Sequence, residues 1–166
     1  MAATYTPIAT TTLGSAASNV TFNSIPSTYT DLVLVISANI STAQNAWLQF
    51  NGDTGANYSD TFLYGNGTSA ASGRNSSITV GYIDAYGYFP SAANTFGTNI
   101  THIMNYSNTT TYKTFISRGN NAGAGVEANV TLWRSTAAIN SILIDLVGAT
   151  TYSAGSTFTL YGILAA

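Results

Sequence analysis

At 166 residues the chain has the size of one domain with a real core, yet only 6% of its residues are charged, against about 25% in ordinary soluble proteins. One lysine and three scattered arginines within a net charge of −2 provide no basic stripe for a nucleic-acid backbone. The lack of cysteine removes disulfide frameworks and thiol chemistry.

Polarity comes instead from 26 Thr, 18 Ser and 16 Asn; with eleven Tyr and fifteen Gly, this is a composition of strands and turns beneath a neutral surface. The opening "MAATYTPIATTTLGS" has neither a basic nor an apolar signal region, so residues 1–7 read as a short lead to a single domain over residues 8–166. Synthesis in a cytoplasm is the matching expectation. Strand candidates follow in order: "ATTTLG", "SNVTF", "DLVLVISANI", "AWLQFN", "DTFLYG", "SSITVGYI", "TNITHIMNY", "YKTFISR", "VEANVTLWR", "NSILIDLVG" and "STFTLYGIL". The runs "LVLVI" and "ILIDLV" read as central strands, and the longest apolar run, residues 32–36, is far too short to cross a bilayer.

"VEANVTLWR" alternates, with Val126, Ala128, Val130 and Leu132 on one face and Glu127, Asn129, Thr131 and Trp133 on the other. One side packs and the other is mostly wet. Residues 66–77, rich in Gly, Ser, Ala and Asn, read as a mobile loop. "STAQNAWLQF" and "RSTAAINS" have room for single helical turns, but nothing else has a helical period. The expected fold is all-β: an antiparallel two-sheet β-sandwich, jelly-roll-like, in a single domain.

"QFNGDTGANYSDTFLYGNG" concentrates polar residues between aromatics. Asn51-Gly52 after an alternating run is a hairpin signal of type I′. An EF-hand register counted from Asn51 puts Ala56 and Phe62 where glycine and glutamate belong, so that loop fails. Asp53, Asn57 and Asp60 remain a minor alternative for another oxygen-ligated cation, and Asp53 with Asp60 for a glycosidase acid pair. His102, the only histidine, alternates with Ile100, Met104 and Tyr106 and reads as a packed side chain. Asp31 and Asp145 read as structural partners for Arg118 or Arg134. No nucleophile elbow, phosphate loop or dinucleotide fingerprint occurs, and no catalytic residue, metal or cofactor is expected. "GYIDAYGYFPS" supplies the candidate interface, Tyr82, Tyr86, Tyr88 and Phe89, for which capping the core is the competing reading.

Across residues 10–163, the blocks "TTTLGSAASNVTFNSIPSTYTDLVLV", "LQFNGDTGANYSDTFLYGNG", "IMNYSNTTTYKTFISRGN", "LWRSTAAINSI" and "AGSTFTLYGI" resemble a family of small virion proteins of tailed bacteriophages, particularly those infecting cyanobacteria and other aquatic bacteria. The resemblance implies a β-sandwich structural protein without catalysis, acting as a capsid decoration (cement) protein or in tail-fibre and receptor-binding components. It transfers no catalytic motif; residues 50–53 and 132–136 enter as fold-making turns and strands. The expectation is a virion protein bound to the major capsid protein and to copies of itself, as a homotrimer, with no nucleic-acid or membrane partner. A module holding host glycans is the alternative. A surface so poor in charge further predicts attachment nearly insensitive to salt.

Overall fold

The computed structural model describes residues 4–164. Among them are twelve strands and no helix: β1 Tyr5–Thr12, β2 Asn19–Phe22, β3 Asp31–Ala38, β4 Ala46–Phe50, β5 Tyr58–Gly65, β6 Ala70–Ile78, β7 Gly81–Asp84, β8 Gly97–Met104, β9 Lys113–Asn121, β10 Gly125–Trp133, β11 Ile142–Leu146 and β12 Thr157–Ile163. They form an eight-stranded sheet, β1-β12-β3-β8-β9-β10-β5-β6, and a four-stranded sheet, β2-β11-β4-β7. Every pairing is antiparallel. The molecule is the two-sheet β-sandwich that the strand pattern predicts, and no helix is long and apolar enough to cross a membrane. Of the proposed lead, residues 1–3 lie outside the described residues, whereas Tyr5, Thr6 and Pro7 already belong to β1 and pair with β12.

Both apolar runs are central. β3 lies between β12 and β8, and β11 between β2 and β4. Leu32, Leu34 and Ile36 meet Leu160 and Phe158 of β12 on the inner face, while Ile142 and Ile144 do the same for the small sheet. Phe50, Tyr58, Phe115 and Trp133 close one end, with the Trp133 ring 5.3 Å from Phe50 and 6.2 Å from Tyr58. Rings at these separations contribute beyond their buried area.

Asn51 and Gly52 take φ of 55° and 67°, as a type I′ turn requires. Yet β4 and β5 do not pair: β4 lies between β11 and β7, and β5 between β10 and β6. The turn therefore carries the chain from one sheet to the other. Asn51 fixes the crossing, its Nδ2 donating to the Ala138 carbonyl (2.8 Å) and its Oδ1 accepting from Asn140 N (2.9 Å).

The structure corrects the reading of residues 66–77 as a loop. Asn66 Oδ1 caps a turn over Thr68 and Ser69, and β6 then runs as an edge strand along β5. Gly73 sits opposite Phe62, whose ring covers it so closely that a Cβ there would lie 2.4 Å from Cζ. An aromatic ring over an edge glycine supplies the packing that the sequence of β6 lacks. The run "SSITVGYI" is split between the end of β6 and the start of β7.

β10 alternates as expected, and the side that packs is the more polar one. Glu127, Asn129, Thr131 and Trp133 are buried, while Val126 and Val130 are 59% and 45% exposed. The cause is β7, the last strand of the small sheet, which lies across the large one with one backbone edge unpaired. Side chains of the facing sheet complete that edge. Asn99 Nδ2 (2.7 Å) and Ser117 Oγ (3.0 Å) donate to the Ile83 carbonyl, and Thr131 Oγ1 donates to the Tyr82 carbonyl (3.3 Å). Glu127 accepts from Ala85 N (2.5 Å) and Tyr86 N (2.8 Å). Buried backbone groups must be paired, so the polar side of β8, β9 and β10 faces in.

Candidate functional site

The four candidate aromatics do not share a surface. Asp84 accepts from Gly87 N, Tyr88 N and Phe89 N at 2.8–2.9 Å, curling the chain after β7 into a tight turn. That turn buries Tyr88 and places Phe89 in the core, edge-on to Tyr152 at 6.4 Å. Tyr82 is half-buried in β7 opposite Trp47. Only Tyr86 stays exposed, and it stacks on Tyr64 with centroids 3.6 Å apart. For Tyr88 and Phe89 the capping reading holds: the Asp84 carboxylate decides their direction, a contact that spacing does not reveal.

The carboxylates are tied into the fold. Asp53 Oδ2 accepts from Trp133 Nε1 (2.6 Å), and Oδ1 from Gly55 N (2.8 Å). Burial pushes Asp53 up, but the bonds from Trp133, Asn57 and Gly55 outweigh it and hold the carboxyl below its ordinary range. Asp60 points inward to Asn75 Nδ2 (2.8 Å), and burial raises it despite the bonds from Asn75 and the Tyr82 backbone. Asp53 and Asp60 thus hold different structural partners, and among the described residues no group of three or more His, Asp or Glu is arranged to hold a metal. Asp84 and Glu127 are neighbouring buried carboxyls, both raised by burial, with Glu127 pushed up to about 7. Asp31 holds Asn105 N (2.6 Å) and Asp145 holds Leu146 N (2.6 Å), not the expected arginines.

His102 faces outward with Ile100 and Met104, whereas Tyr106 lies past the strand, buried, donating its hydroxyl to the Pro26 carbonyl. In register His102 stands between Val33 and Ile116. This outward face of the eight-stranded sheet is the largest feature that the sequence reading missed. Leu63 lies opposite Ala128, and Val130 opposite Ile116. Leu63, Ile116, Val126 and Val130 are all more than two-fifths exposed. A hollow of about 270 Å³ opens between Thr61, Leu63, Ile116, Ala128 and Val130. A second, about 370 Å³, lies among Arg74, Arg134, Thr114, Val130 and Leu132.

All three arginines border this surface. Arg118 is flanked by Ile100 and Ala128, Arg74 lies opposite Thr61, and Arg134 donates to Ser59 Oγ (2.6 Å). The guanidinium groups of Arg74 and Arg118 have no hydrogen-bond or ion-pair partner among the described residues. The remaining cation, Lys113, is buried, donating to the Thr111 (2.8 Å) and Thr136 (3.2 Å) carbonyls, and its desolvation lowers the pKa. No carboxylate occupies an outward position on β5, β6, β8, β9 or β10; Asp31, at the far end of β3, is the nearest by parity. The signal in the sequence is the apolar alternation of β10, which does not say which of its faces the core takes.

No family model and no curated protein matches the chain. Among solved structures, the alginate lyase Aly36B aligns over 93% of this chain and 77% of its own, at 11% identity and a TM-score of 0.37. A double mutant of that lyase in complex with alginate tetrasaccharide aligns over 87% of this chain and 79% of its own, at 10% identity and a TM-score of 0.25. Similarity at this level assigns neither chemistry nor substrate.

Proposed function

We propose that the chain is a non-enzymatic structural protein of a phage virion, a decoration (cement) protein that binds the outside of the head and stabilises contacts between coat subunits. The observation that carries this reading is an open aliphatic sheet face on a sandwich whose carboxylates hold its own backbone and side chains. A hydrolase or lyase needs an acid or base that can reach a substrate. Here Asp53 is engaged by Trp133, Asp60 by Asn75, and Asp84 and Glu127 by the turn after β7. A binding protein needs exposed apolar area and a rigid scaffold, and both are present. The virion setting and the coat-protein partner rest on the family resemblance of residues 10–163, and the proposed assembly is a homotrimer, in which symmetry multiplies weak contacts.

Imaging purified virions tests the placement. Hundreds of copies over the head are expected, and density confined to the tail tip overturns it. A second reading, a glycan-holding tail module, is favoured by one observation, the exposed Tyr86 ring stacked on Tyr64. Retention on a glycan array lost in Tyr86→Ala supports that reading. Shortening of alginate or another polysaccharide by the purified chain overturns the non-enzymatic part of the proposal.

A further inference from the structure

We infer that the outward face of β8, β9, β10, β5 and β6 is the attachment surface, and that it takes an acidic protein surface with an aliphatic centre rather than a second copy of this chain. The inference deepens the reading above and rests on its premise that the chain works by docking, not on which particle it docks to. Its first ground is shape and polarity. Leu63, Ile116, Val126 and Val130 stand exposed on adjacent strands of a rigid sheet, with a hollow between them and arginines at the border. An apolar centre within a polar, arginine-bearing rim is the anatomy of a protein interface.

The second ground is charge. The chain is net negative, yet the outward-directed side chains of this face include its three arginines and no carboxylate; Asp60 and Glu127, which border its hollows, are buried with their carboxyls turned inward. Guanidinium groups match carboxylates in a planar, two-bonded geometry, so the complementary surface presents Asp or Glu. A second copy supplies few, Asp31 and Asp145 being the partly exposed ones, each already holding a backbone amide. Face to face it sets arginine against arginine, and any other approach offers few free carboxylates: Asp60, Asp84 and Glu127 are buried, and Asp53 is held by Trp133 and Asn57. Contacts between copies of the proposed trimer therefore lie elsewhere. Acidic polysaccharide fits less well, because sugars stack on broad aromatic rings and the outward positions of β8, β9 and β10 hold no Phe, Tyr or Trp. The arginine rim also revises the salt-insensitive attachment expected from composition, since exposed pairs weaken as screening rises.

The test places a photo-crosslinking amino acid at Val130, with Thr21 on the exposed side of β2 as control, in full-length chain made during phage infection. Crosslinked peptides are then identified by mass spectrometry. The expected product joins position 130 to a carboxylate-bearing segment of another protein. Arg74→Glu with Arg118→Glu, folded by its unfolding midpoint, is expected to cut the yield at least about tenfold. A crosslink to a second copy, a crosslink to saccharide, no crosslink above the Thr21 control, or a yield unchanged by the charge reversal each overturns the inference. An acidic partner that is not a head protein, its crosslink lost on charge reversal, leaves the surface standing and sinks the head-decoration reading instead.

Discussion

The two faces of β8, β9 and β10 reverse the usual arrangement. Beside the apolar Ile103, Phe115 and Trp133, their inward sides carry Asn99, Thr101, Ser117, Glu127, Asn129 and Thr131, all buried; outward they carry Ile100, Ile116, Val126 and Val130, exposed in whole or part. The next two strands of the same sheet, β3 and β12, behave conventionally, with Leu32, Leu34, Ile36, Phe158 and Leu160 inside. The difference lies in what each part faces. β3 and β12 meet the apolar interior, whereas β8 to β10 meet the open edge of β7, whose carbonyls and amides need partners. An unpaired backbone edge in the interior decides orientation more strongly than side-chain hydropathy, because each buried orphan costs about 1–3 kcal/mol.

The sharpest test of that comparison is the removal of an inward polar group. Asn99 is fully buried; it donates to the Ile83 carbonyl and accepts from Thr101 Oγ1 (2.9 Å). Asn99→Ala leaves Thr101 Oγ1 without its acceptor and the Ile83 carbonyl with Ser117 alone, and it opens a small cavity, so a loss of about 2–3 kcal/mol is expected in urea unfolding. A loss under about 0.5 kcal/mol, the range of an ordinary surface change, breaks the comparison, because β7 would then have no need of its side-chain partners.

The next effect is set by pH. Glu127 is pushed up to about 7 from 4.5, mainly by burial and then by the neighbouring Asp84. A folded value above the unfolded one means that the native state binds the extra proton between the two. Stability from this group is therefore complete below about pH 4.5 and is lost as pH rises through about 7. The groups facing it are Asp84, itself raised by burial, with Tyr86 and Tyr88 on the same turn. Unfolding free energy is expected to fall by on the order of 2 kcal/mol between pH 5 and pH 8, and Glu127→Gln should flatten that slope. Asp53 acts oppositely: its lowered value withdraws stability only as pH falls below the ordinary carboxylate range. A profile that rises from pH 5 to 8 in wild type refutes the buried-pair account.

A smaller loss is expected where the inward face of β10 turns aromatic. Trp133 is nearly fully buried against Phe50 and Tyr58, and its indole N–H has Asp53 as acceptor. Asp53→Ala removes that acceptor together with the bonds to Gly55 and Asn57. About 1–2 kcal/mol of destabilisation is expected, read from the urea midpoint followed by tryptophan fluorescence. Loss of folding altogether would instead make the inter-sheet turn, not the inward face, the centre of stability.

Much of this architecture is legible in the sequence. Alternation and β-branched runs locate eleven of the strand segments, and Asn51-Gly52 gives the correct backbone turn. What escapes has a physical reason in each instance. β6 looks like a loop because its packing comes from Phe62 on its neighbour, across Gly73. The turn at Asn51 looks like a hairpin because local dihedrals do not say which sheet the next strand joins. Tyr88 and Phe89 look like surface anchors because the Asp84 bonds that turn them inward are local in sequence but invisible to hydropathy. The outward face of β10 escapes because the partners that draw Glu127 and Thr131 inward, β7 and the turn after it, lie more than forty residues away.

The smallest expected effect on stability is the most informative about the outward face. Val130 and Leu63 project from the sheet beside Thr61 and Ala128, and neither belongs to the interior cluster. Val130→Ser and Leu63→Ser should each change the unfolding free energy by no more than about 0.5 kcal/mol, as substitutions remote from buried contacts do. Any shift in the stabilising direction would follow from removing exposed apolar surface. The same changes delete part of the aliphatic centre of the proposed interface, so attachment should weaken while folding does not. A cost of about 2 kcal/mol or more is what burial of a whole aliphatic side chain produces. If it falls as the protein is diluted, then in solution the face is already covered by another copy, and the contrast between the two sides of β10 would belong to the isolated chain alone. Sedimentation velocity over a hundredfold range of concentration, run on wild type and Val130→Ser together, separates those outcomes. A species that stays at one size in both, with unchanged unfolding midpoints, leaves the face open and awaiting a different protein.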